Sequence, residues 1–233
     1  MNIVNLLIEV IFTAVVLTFA LLPHEIAHGY TALLLGDRTA KNLHRLTLNP
    51  FRHINPVYAG WIFGGILLGK LIPALSFLTT VMMWVGFVLL LKPVPINPAN
   101  FSDPKKGMAI TALMGPVTNL LIAFVGMFLW VAVDKWSIPY VGDYLYLFFH
   151  LLVSYNITLA VFNLIPVPPL DGSRVLFAFL PSRYYFKVMQ YERYIMLVFL
   201  ILVYNGAFDI LLQRGTANIF KAFYTVAAKV MGL

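Results

Sequence analysis

Residues 3–35, IVNLLIEVIFTAVVLTFALLPHEIAHGYTALLL, decide the fold class, because this long apolar block contains few acidic, basic or imidazole side chains. They are Glu9, His24, Glu25 and His28. A bilayer span needs about 20 predominantly apolar residues, and this block exceeds that length. The block has neither the basic start nor the small-residue cleavage site of a signal peptide, so we expect it to remain in the mature protein. The sequence therefore predicts a transmembrane helix at the N-terminal end of the chain.

The composition of the whole chain is that of a membrane protein. Of its 233 residues, 61% are hydrophobic and 11% are charged, whereas soluble domains average about 45–50% apolar and about 25% charged residues. The absence of cysteine excludes a disulfide framework, a thiolate metal site and a thiol nucleophile. The net charge of +7 comes from Lys and Arg residues scattered between apolar blocks. We interpret them as signals of membrane topology and expect no nucleic-acid partner.

Five further apolar blocks predict an all-α polytopic membrane protein with about six transmembrane helices. The blocks cover residues 57–71, 74–91, 108–133, 144–165 and 194–212. The first of them is short, so whether it spans the bilayer fully stays open. The connectors are too short for a soluble domain, which predicts a single transmembrane domain over residues 1–212. The tail over residues 213–233 suits either an interfacial amphipathic helix or a frayed terminus.

The distribution of basic residues favours a topology with both termini outside. With six spans in that orientation, eleven Lys and Arg residues face the inner side and five face the outer side, which agrees with the positive-inside rule. The inner set is Arg38, Lys41, Arg45, Arg52, Lys92, Lys105, Lys106, Arg174, Arg183, Lys187 and Arg193, and the outer set is Lys70, Lys135, Arg214, Lys221 and Lys229.

The first span contains an H-E-x-x-H motif, His24-Glu25-Ile26-Ala27-His28. On a helix, the i, i+4 spacing places both imidazoles on one face, where they can bind one divalent metal, while the Glu25 carboxylate lies beside them as a general base for metal-assisted hydrolysis. Ionisable side chains within a bilayer are costly, which favours function over chance. At about 1.5 Å per residue, His24 lies about 16 Å from Leu35, so the metal would lie within the membrane plane.

A catalytic zinc site needs a third protein ligand, and Asp171 is the strongest candidate. It lies in the stretch NLIPVPPLDG over residues 163–172, at the end of an apolar block. The prolines stiffen an extended approach and Gly172 permits a tight turn behind the carboxylate. The alternative is that Asp171 caps the next helix. The residues alone leave these two interpretations about equal.

Taken together, the motifs resemble those of the site-2 protease family of intramembrane zinc metalloproteases. The resemblance is carried by HEIAH over residues 24–28, GPVTN over residues 115–119 and NLIPVPPLDG over residues 163–172, in that order and in a membrane context. It extends over residues 21–176 and is closest to compact members without a PDZ or other extra domain. Arg38 and Ser173 depart from the residues common in those relatives.

The resemblance implies a set of roles for residues of this chain. His24, His28 and Asp171 would be the ligands of one Zn²⁺ ion, and Glu25 would be the base that activates water. For Asn119, it implies either a contact with the substrate backbone or oxyanion, or an interhelical hydrogen bond. Asn163 would either contact substrate or order the proline-rich turn.

The resemblance further implies a substrate and a path for the substrate chain. The expected activity is hydrolysis of a peptide bond in or near a transmembrane segment of a membrane protein. Separately, the absence of a targeting segment favours a bacterial or archaeal cytoplasmic membrane as the location, and we expect the active site nearer the cytoplasmic side. Residues 43–48 would form a short β-hairpin edge or re-entrant element near the site, or a simple loop. The oligomeric state stays open.

Two other functions remain compatible with the sequence. A divalent-cation transporter would also place His and Asp in spans, but it would show internal repeats and a polar path to both faces. A catalytically silent membrane scaffold of the same fold would lack a ligand or the base, whereas all four key residues are present. Of the remaining histidines, we expect His44 and His53 to be solvated and His150 to be a satisfied interhelical histidine.

Overall fold

A computed structural model describes residues 3–53, 55–75, 79, 92–136 and 141–233, and every regular element in these ranges is a helix. The α-helices are α1 (Ile3–Leu34), α2 (Thr39–Asn42), α3 (Pro56–Leu71), α4 (Pro104–Trp136), α5 (Gly142–Asn163), α6 (Asp171–Phe177), α7 (Ser182–Gln190), α8 (Glu192–Tyr204) and α9 (Asp209–Met231). Short 3₁₀ turns lie at Pro50–Arg52, Pro73–Leu75 and Pro98–Asn100.

Three helices of the described ranges are long and apolar enough to cross a bilayer: α1 over Ile11–Leu34, α4 and α5. Helices α8 and α9 pass the same test only as a pair, bent by 78° at the break between them. The prediction of an apolar, all-helical membrane protein is therefore confirmed, whereas the count of six spans is not. Block 194–212 was predicted to be one span, but its helix is interrupted between Tyr204 and Asp209.

Two other predicted spans have different outcomes. Helix α3 contains 16 residues, about 24 Å at 1.5 Å per residue, which is less than the roughly 30 Å of a hydrocarbon core. Block 74–91 lies outside the described residues, apart from positions 74, 75 and 79.

The interior is formed where α1, α4 and α5 pack against one another. Helices α4 and α5 share a cluster of fully buried apolar side chains, including Met127, Val153 and Ile157. Small residues permit the close approach: Gly126 lies against Val153, so an added Cβ there would lie 3.2 Å from the valine. This packing fixes the position of α4 beside the metal-binding motif of α1.

Helix α9 lies along α4 and α5 and contains residues 213–231 of the predicted tail. Gly215 contacts Val161 near the end of α5, Ala227 is buried in the α4–α5 cluster, and the Lys135 ammonium donates a hydrogen bond to the carbonyl of Met231. Residues 213–231 are therefore helical and packed, and the division into a domain of residues 1–212 and a tail stays a prediction.

The predicted β-hairpin edge over residues 43–48 is wrong, since the segment contains turn and irregular backbone and no strand. The Arg45 N–H donates to the Ala40 carbonyl, and the Thr47 carbonyl accepts from the His53 ring. The segment is therefore folded back onto α2 and onto a side chain, where it has no strand partner among the described residues.

Candidate metal centre

The H-E-x-x-H motif lies on α1, which continues through Pro23 as one helix, and both of its imidazoles are buried. The Nε2 atoms of His24 and His28 lie 3.0 Å apart. Asp171 Oδ2 lies 3.1 Å from the first of these atoms and 3.3 Å from the second. These three residues form a group that could hold a metal ion.

The triangle has the dimensions of a tetrahedral zinc site. With zinc–ligand distances of about 2.0–2.1 Å, two ligand atoms of a tetrahedron lie about 3.3 Å apart. The observed separations of 3.0–3.3 Å match this value. The three residues therefore have the right spacing to act as one face of such a site, and the fourth position would stay open for water.

The far sides of both imidazoles are hydrogen-bonded to α4. His28 Nδ1 donates to the carbonyl oxygen of Thr111 at 2.8 Å, and His24 Nδ1 lies 3.2 Å from Asn119 Oδ1. Because both acceptors are oxygens, each Nδ1 carries the proton and each Nε2 presents a lone pair. Two imidazole nitrogens and a carboxylate oxygen thus converge at one point, and a divalent cation held there would be bound by all three.

Gly115 gives the imidazoles the space they occupy. Thr111, Gly115 and Asn119 follow one another at four-residue intervals and therefore share one face of α4. A Cβ at position 115 would lie 2.4 Å from His28 Cε1 and 2.5 Å from His24 Cε1. The glycine of the G-P-x-x-N motif is therefore required by close contact with the two rings.

Asp171 reaches the two histidines because it is the first residue of α6, directly after the proline-rich turn. Gly172 packs against the end of α5, where an added Cβ would lie 2.2 Å from the carbonyl oxygen of Leu164. The reason for this glycine is thus a close backbone approach, and not a left-handed conformation. Ser173, which departs from the family pattern, is buried and donates to the Leu170 carbonyl at 2.7 Å.

A bidentate ion pair holds α6 in place. Arg174 Nη2 lies 2.9 Å from both carboxylate oxygens of Glu192, which begins α8. Because the pair is partly exposed, it contributes little to the free energy of folding and mainly positions the two helices. It fixes α6, the helix that contains Asp171, relative to α8.

The Glu25 carboxylate is held by a distant segment of the chain. Its Oε2 accepts a hydrogen bond of 3.0 Å from the backbone N–H of Val94. Gly29, one turn along α1, lies against Leu46 and Val94, since an added Cβ would be 2.6 Å and 2.7 Å from their side chains. The segments around Leu46 and Val94 therefore pass beside the metal-binding motif.

Asp37 anchors the segment that contains Val94. Its fully buried carboxylate accepts hydrogen bonds from the Asn97 N–H at 2.8 Å, from Asn100 Nδ2 at 2.7 Å and from Thr39. Burial by itself raises the pKa of Asp37, but these hydrogen bonds outweigh it and hold the pKa below its usual value. An ionised Asp37 thus joins the end of α1 to the segment beside Glu25.

His53 is a second buried group in this assembly, so the expectation that it is solvated is wrong. Its Nε2–H donates to the Thr47 carbonyl at 2.9 Å, and its own backbone carbonyl accepts from the Lys92 N–H at 2.8 Å. Nδ1 has no hydrogen-bond partner among the described residues. Burial lowers the pKa of His53, which favours the neutral ring.

The site opens into a cavity of about 400 Å³. The cavity contains the side chains of the two histidines, Glu25 and Asp171, together with Asn119 and Asn163. Helix α8 contributes an apolar wall through Met196, Phe199 and Val203. An apolar cavity that ends in a cluster of ionisable groups is the usual form of an enzyme site.

The structure places the two predicted asparagines differently. Asn119 is fully buried, and its amide oxygen contacts His24 Nδ1. Of the two roles expected for Asn119, this contact is the interhelical hydrogen bond. Its Nδ2 has no hydrogen-bond partner among the described residues. Asn163 Nδ2 donates to the Leu159 carbonyl within α5, and the side chain lines the cavity.

The sequence did not predict the groups that orient the two histidines and Glu25. Thr111 acts through its backbone carbonyl and Val94 through its backbone N–H, so neither side chain gives a signal. The role of Asp37 as an anchor was not predicted either. The three-proline spacing around Val94 was the available indication that this connector is stiff and extended.

Comparisons with known proteins agree with this geometry. The sequence profile of peptidase family M50 matches residues 131–203. The chain is 32% identical over 222 residues to "Putative zinc metalloprotease YwhC" of Bacillus subtilis, covering 92% of each protein. It is also 34% identical over 120 residues to "Putative zinc metalloprotease MJ0611" of Methanocaldococcus jannaschii, covering 51% of each. No solved structure matches the chain significantly.

Proposed function

The chain belongs to peptidase family M50, the site-2 proteases, and on this premise we propose that it is an intramembrane zinc metalloprotease that cleaves another membrane protein in or near a transmembrane segment. The observation that carries the proposal is the convergence of His24 Nε2, His28 Nε2 and Asp171 Oδ2 within 3.3 Å of one another in a mostly buried position. Zinc is the metal that the family and the nitrogen and oxygen ligands imply.

In the proposed mechanism, His24, His28 and Asp171 hold the zinc ion and leave one position open. When bound, zinc would polarise the scissile carbonyl and lower the pKa of water towards about 7. Glu25 would accept the proton of the attacking water and deliver it to the leaving amine. The Val94 N–H, at 3.0 Å from Oε2, would hold the carboxylate in the orientation that this transfer needs.

Asn119 and Thr111 would act on the metal through the histidines. Hydrogen bonds to Nδ1 fix the ring orientation and tautomer, and they make Nε2 a stronger ligand. Asn119 lines the cavity and its Nδ2 has no hydrogen-bond partner among the described residues, so after a local opening it would donate to the substrate backbone or to the oxygen that becomes negatively charged. Asn163, which also lines the cavity, would contact the same part of the substrate.

The substrate would have to unwind locally, because a peptide bond in an intact helix is shielded by the helix's own hydrogen bonds. We propose that the irregular segment around Leu46 contacts the unwound segment of the substrate. The support is its position: the Leu46 side chain lies against Gly29, directly after His28. If Leu46→Pro left cleavage unchanged, this path for the substrate would be wrong.

The proposed location is a bacterial or archaeal cytoplasmic membrane, with the chain crossing several times and both termini outside. The basic residues concentrated in the inner connectors support this orientation. The apolar helices α1, α4 and α5 support insertion. Since His24 precedes the inner end of α1 by about 15 Å, the site would lie within the bilayer, and its opening towards the cytoplasm is proposed because the connector that holds Glu25 is on the inner side in this topology.

Two measurements on the detergent-purified protein test the proposal. The first is zinc per chain in the wild type, in Asp171→Ala and in the exposed control Asp103→Ala. We expect about one zinc per chain in the wild type and the control, and strong loss in Asp171→Ala, because a catalytic site with two protein ligands binds weakly. Full retention in a folded Asp171→Ala variant would remove this residue from the site.

The second measurement is cleavage of single-span model proteins reconstituted with the protease, with Gly or Asn placed within their transmembrane segment to ease unwinding. We expect fragments whose new ends map, by mass spectrometry, to that segment. Glu25→Gln should keep its zinc and lose cleavage. If Glu25→Gln cleaved as well as the wild type, Glu25 would not be the general base. Metal uptake into vesicles that survives in Glu25→Gln would favour the cation-transporter alternative over the protease. Zinc binding without cleavage in any variant would favour the silent scaffold.

A further inference from the structure

Helix α9 presents a polar, cationic face to its surroundings along most of its length. Its inner face is apolar, with Phe220, Phe223 and Ala227 packed against α4 and α5. The outer face contains exposed polar and basic side chains at intervals of three and four residues, so they form one stripe. The stripe consists of Arg214, Asn218, Lys221, Thr225 and Lys229.

This stripe lies at the depth of the bilayer if α4 and α5 span it, and no longer outside the membrane as the six-span topology had it. The inference rests on that proposed placement. Contacts fix α9 along both helices: Gly215 touches Val161, the Phe220 ring lies 5.9 Å from the His150 ring, and the Met231 carbonyl accepts from Lys135. At 1.5 Å per residue, Lys221 lies about 15 Å from Met231, which is near the middle of a hydrocarbon core of about 30 Å.

An exposed lysine at this depth requires a partner. A lysine near the centre of a lipid-facing helix costs about 2.5–3.5 kcal/mol on insertion scales. Lys229 is close enough to the helix end to reach the interface, whereas Lys221 is farthest from both ends. Lys221 forms no ion pair with any described residue, so the chain does not offset this cost in the described part of the fold.

A groove beside the stripe provides a second, independent observation. It has a volume of about 550 Å³ and lies between α5 and α9. Its accessible surface is mostly apolar, and the polar residues that line it are Ser154 and Thr158 on α5 and Gln213 and Thr216 on α9. Buried His150 Nδ1 and Thr216 Oγ1 border the groove without a hydrogen-bond partner among the described residues. Polar side chains that lack a partner within a bilayer favour association with another polar helix.

From these observations we propose that the groove between α5 and α9 docks a transmembrane helix of another membrane protein, and that this helix carries a carboxylate opposite Lys221. The carboxylate would offset the lysine charge, while amide or hydroxyl side chains on the partner would pair with His150, Thr216 and Gln213. The groove shares no lining residue with the cavity of the metal centre, so the partner would bind away from the site of cleavage.

A second copy of the chain does not fit this face. In a two-fold contact the same patch meets itself, and the stripe contains Arg214, Lys221 and Lys229 with no carboxylate between them. The described carboxylates of the chain lie in the metal centre, in its anchoring loop or near helix ends. The charge of the face therefore selects a different, acidic partner.

The experiment uses the absence of cysteine in the chain. The full-length protein with Ala222→Cys, an exposed position on the stripe side of α9, receives a donor fluorophore and is reconstituted in zwitterionic lipid vesicles. The probes are synthetic Leu/Ala transmembrane helices with an acceptor fluorophore and a single central Glu, Leu or Lys. A matched protein carries Val125→Cys, an exposed position on the apolar face of α4.

We expect the Glu helix to bind near the donor of the Ala222→Cys protein about tenfold more tightly than the Leu helix, since polar contacts between membrane helices contribute about 1–2 kcal/mol. Lys221→Met should abolish the difference, and Lys221→Glu should transfer the preference to the Lys helix. The Val125→Cys protein should show no energy transfer with any probe. Zinc content, measured in each variant, checks that the fold is retained.

Three outcomes would overturn the proposal. Equal binding of the Glu and Leu helices would show that Lys221 does not favour a partner helix with a carboxylate. Disulfide formation between two unlabelled copies of the Ala222→Cys protein would assign the face to a second copy. Fast labelling of the Ala222→Cys thiol by a membrane-impermeant maleimide would show that α9 lies in water, and the proposed membrane placement would then fail together with the docking site.

Discussion

Glu25 Oε2 accepts a hydrogen bond from the Val94 N–H at 3.0 Å, although the two residues are 69 positions apart in the chain. The proposed general base is thus oriented by a backbone group of a proline-rich connector. Asp37 fixes this connector through Asn97, and Arg45 Nη2 fixes its start through the Lys92 carbonyl at 2.6 Å. The base and the metal ligands are therefore held by different parts of the fold.

Removing the N–H of Val94 tests this relationship. Val94→Pro should lower the cleavage rate about 10- to 100-fold, because a hydrogen bond to a charged group contributes about 1.5–3 kcal/mol. Zinc content should not change, since no metal ligand is touched. Val94→Ala keeps the N–H and controls for loss of the side chain. Equal rates for the Pro and Ala variants would show that the hydrogen bond does not matter for cleavage.

Enlarging Gly115 should destroy the metal centre. In Gly115→Ala the new Cβ would lie within 2.6 Å of both imidazoles, so at least one ring has to move. We expect zinc per chain to fall well below one, measured by elemental analysis. Gly126→Ala is the comparison on the same helix, because its Cβ would meet Val153 at 3.2 Å and displace that side chain by a few tenths of an ångström without touching the rings. Normal zinc in a folded Gly115→Ala protein would contradict the observed ring positions.

Removing the amide of Asn119 should weaken zinc binding without removing a zinc ligand. Asn119→Ala leaves His24 Nδ1 without its acceptor, and loss of such a contact typically lowers metal affinity about 10- to 100-fold. Competition with a zinc chelator measures the change. Asn156→Ala is the control, since this buried amide donates only to Leu152 of its own helix. An equal effect of both substitutions would indicate general destabilisation.

The lowered pKa of His53 predicts a pH dependence of stability. The folded protein holds this ring neutral, while the unfolded chain protonates it near pH 6.5, so the unfolded state binds more protons below that pH. Stability should therefore fall as the pH drops below about 6.5, towards the folded-state pKa. Thermal unfolding in detergent between pH 8 and pH 5 should show a shallower slope in His53→Gln than in the wild type. His44→Gln, at an exposed ring, should keep the wild-type slope.

The sequence by itself determined the membrane class, the helical fold and the four residues of the proposed centre. Apolar content and the length of the blocks report insertion directly, because the bilayer imposes a length and a polarity on each span. The H-E-x-x-H motif is local, since one helical turn brings its imidazoles together. For Asp171, the local residues left a metal ligand and a helix cap about equal, and the resemblance to the site-2 proteases implied the ligand.

Tertiary structure alone decided how these groups are oriented. The proton positions on His24 and His28 follow from oxygen acceptors on α4, and the orientation of Glu25 follows from a backbone N–H on a remote connector. Backbone groups are the same in every residue, so no side-chain pattern could indicate them. The break between α8 and α9 and the burial of His53 likewise depend on packing against distant segments, which hydropathy does not encode.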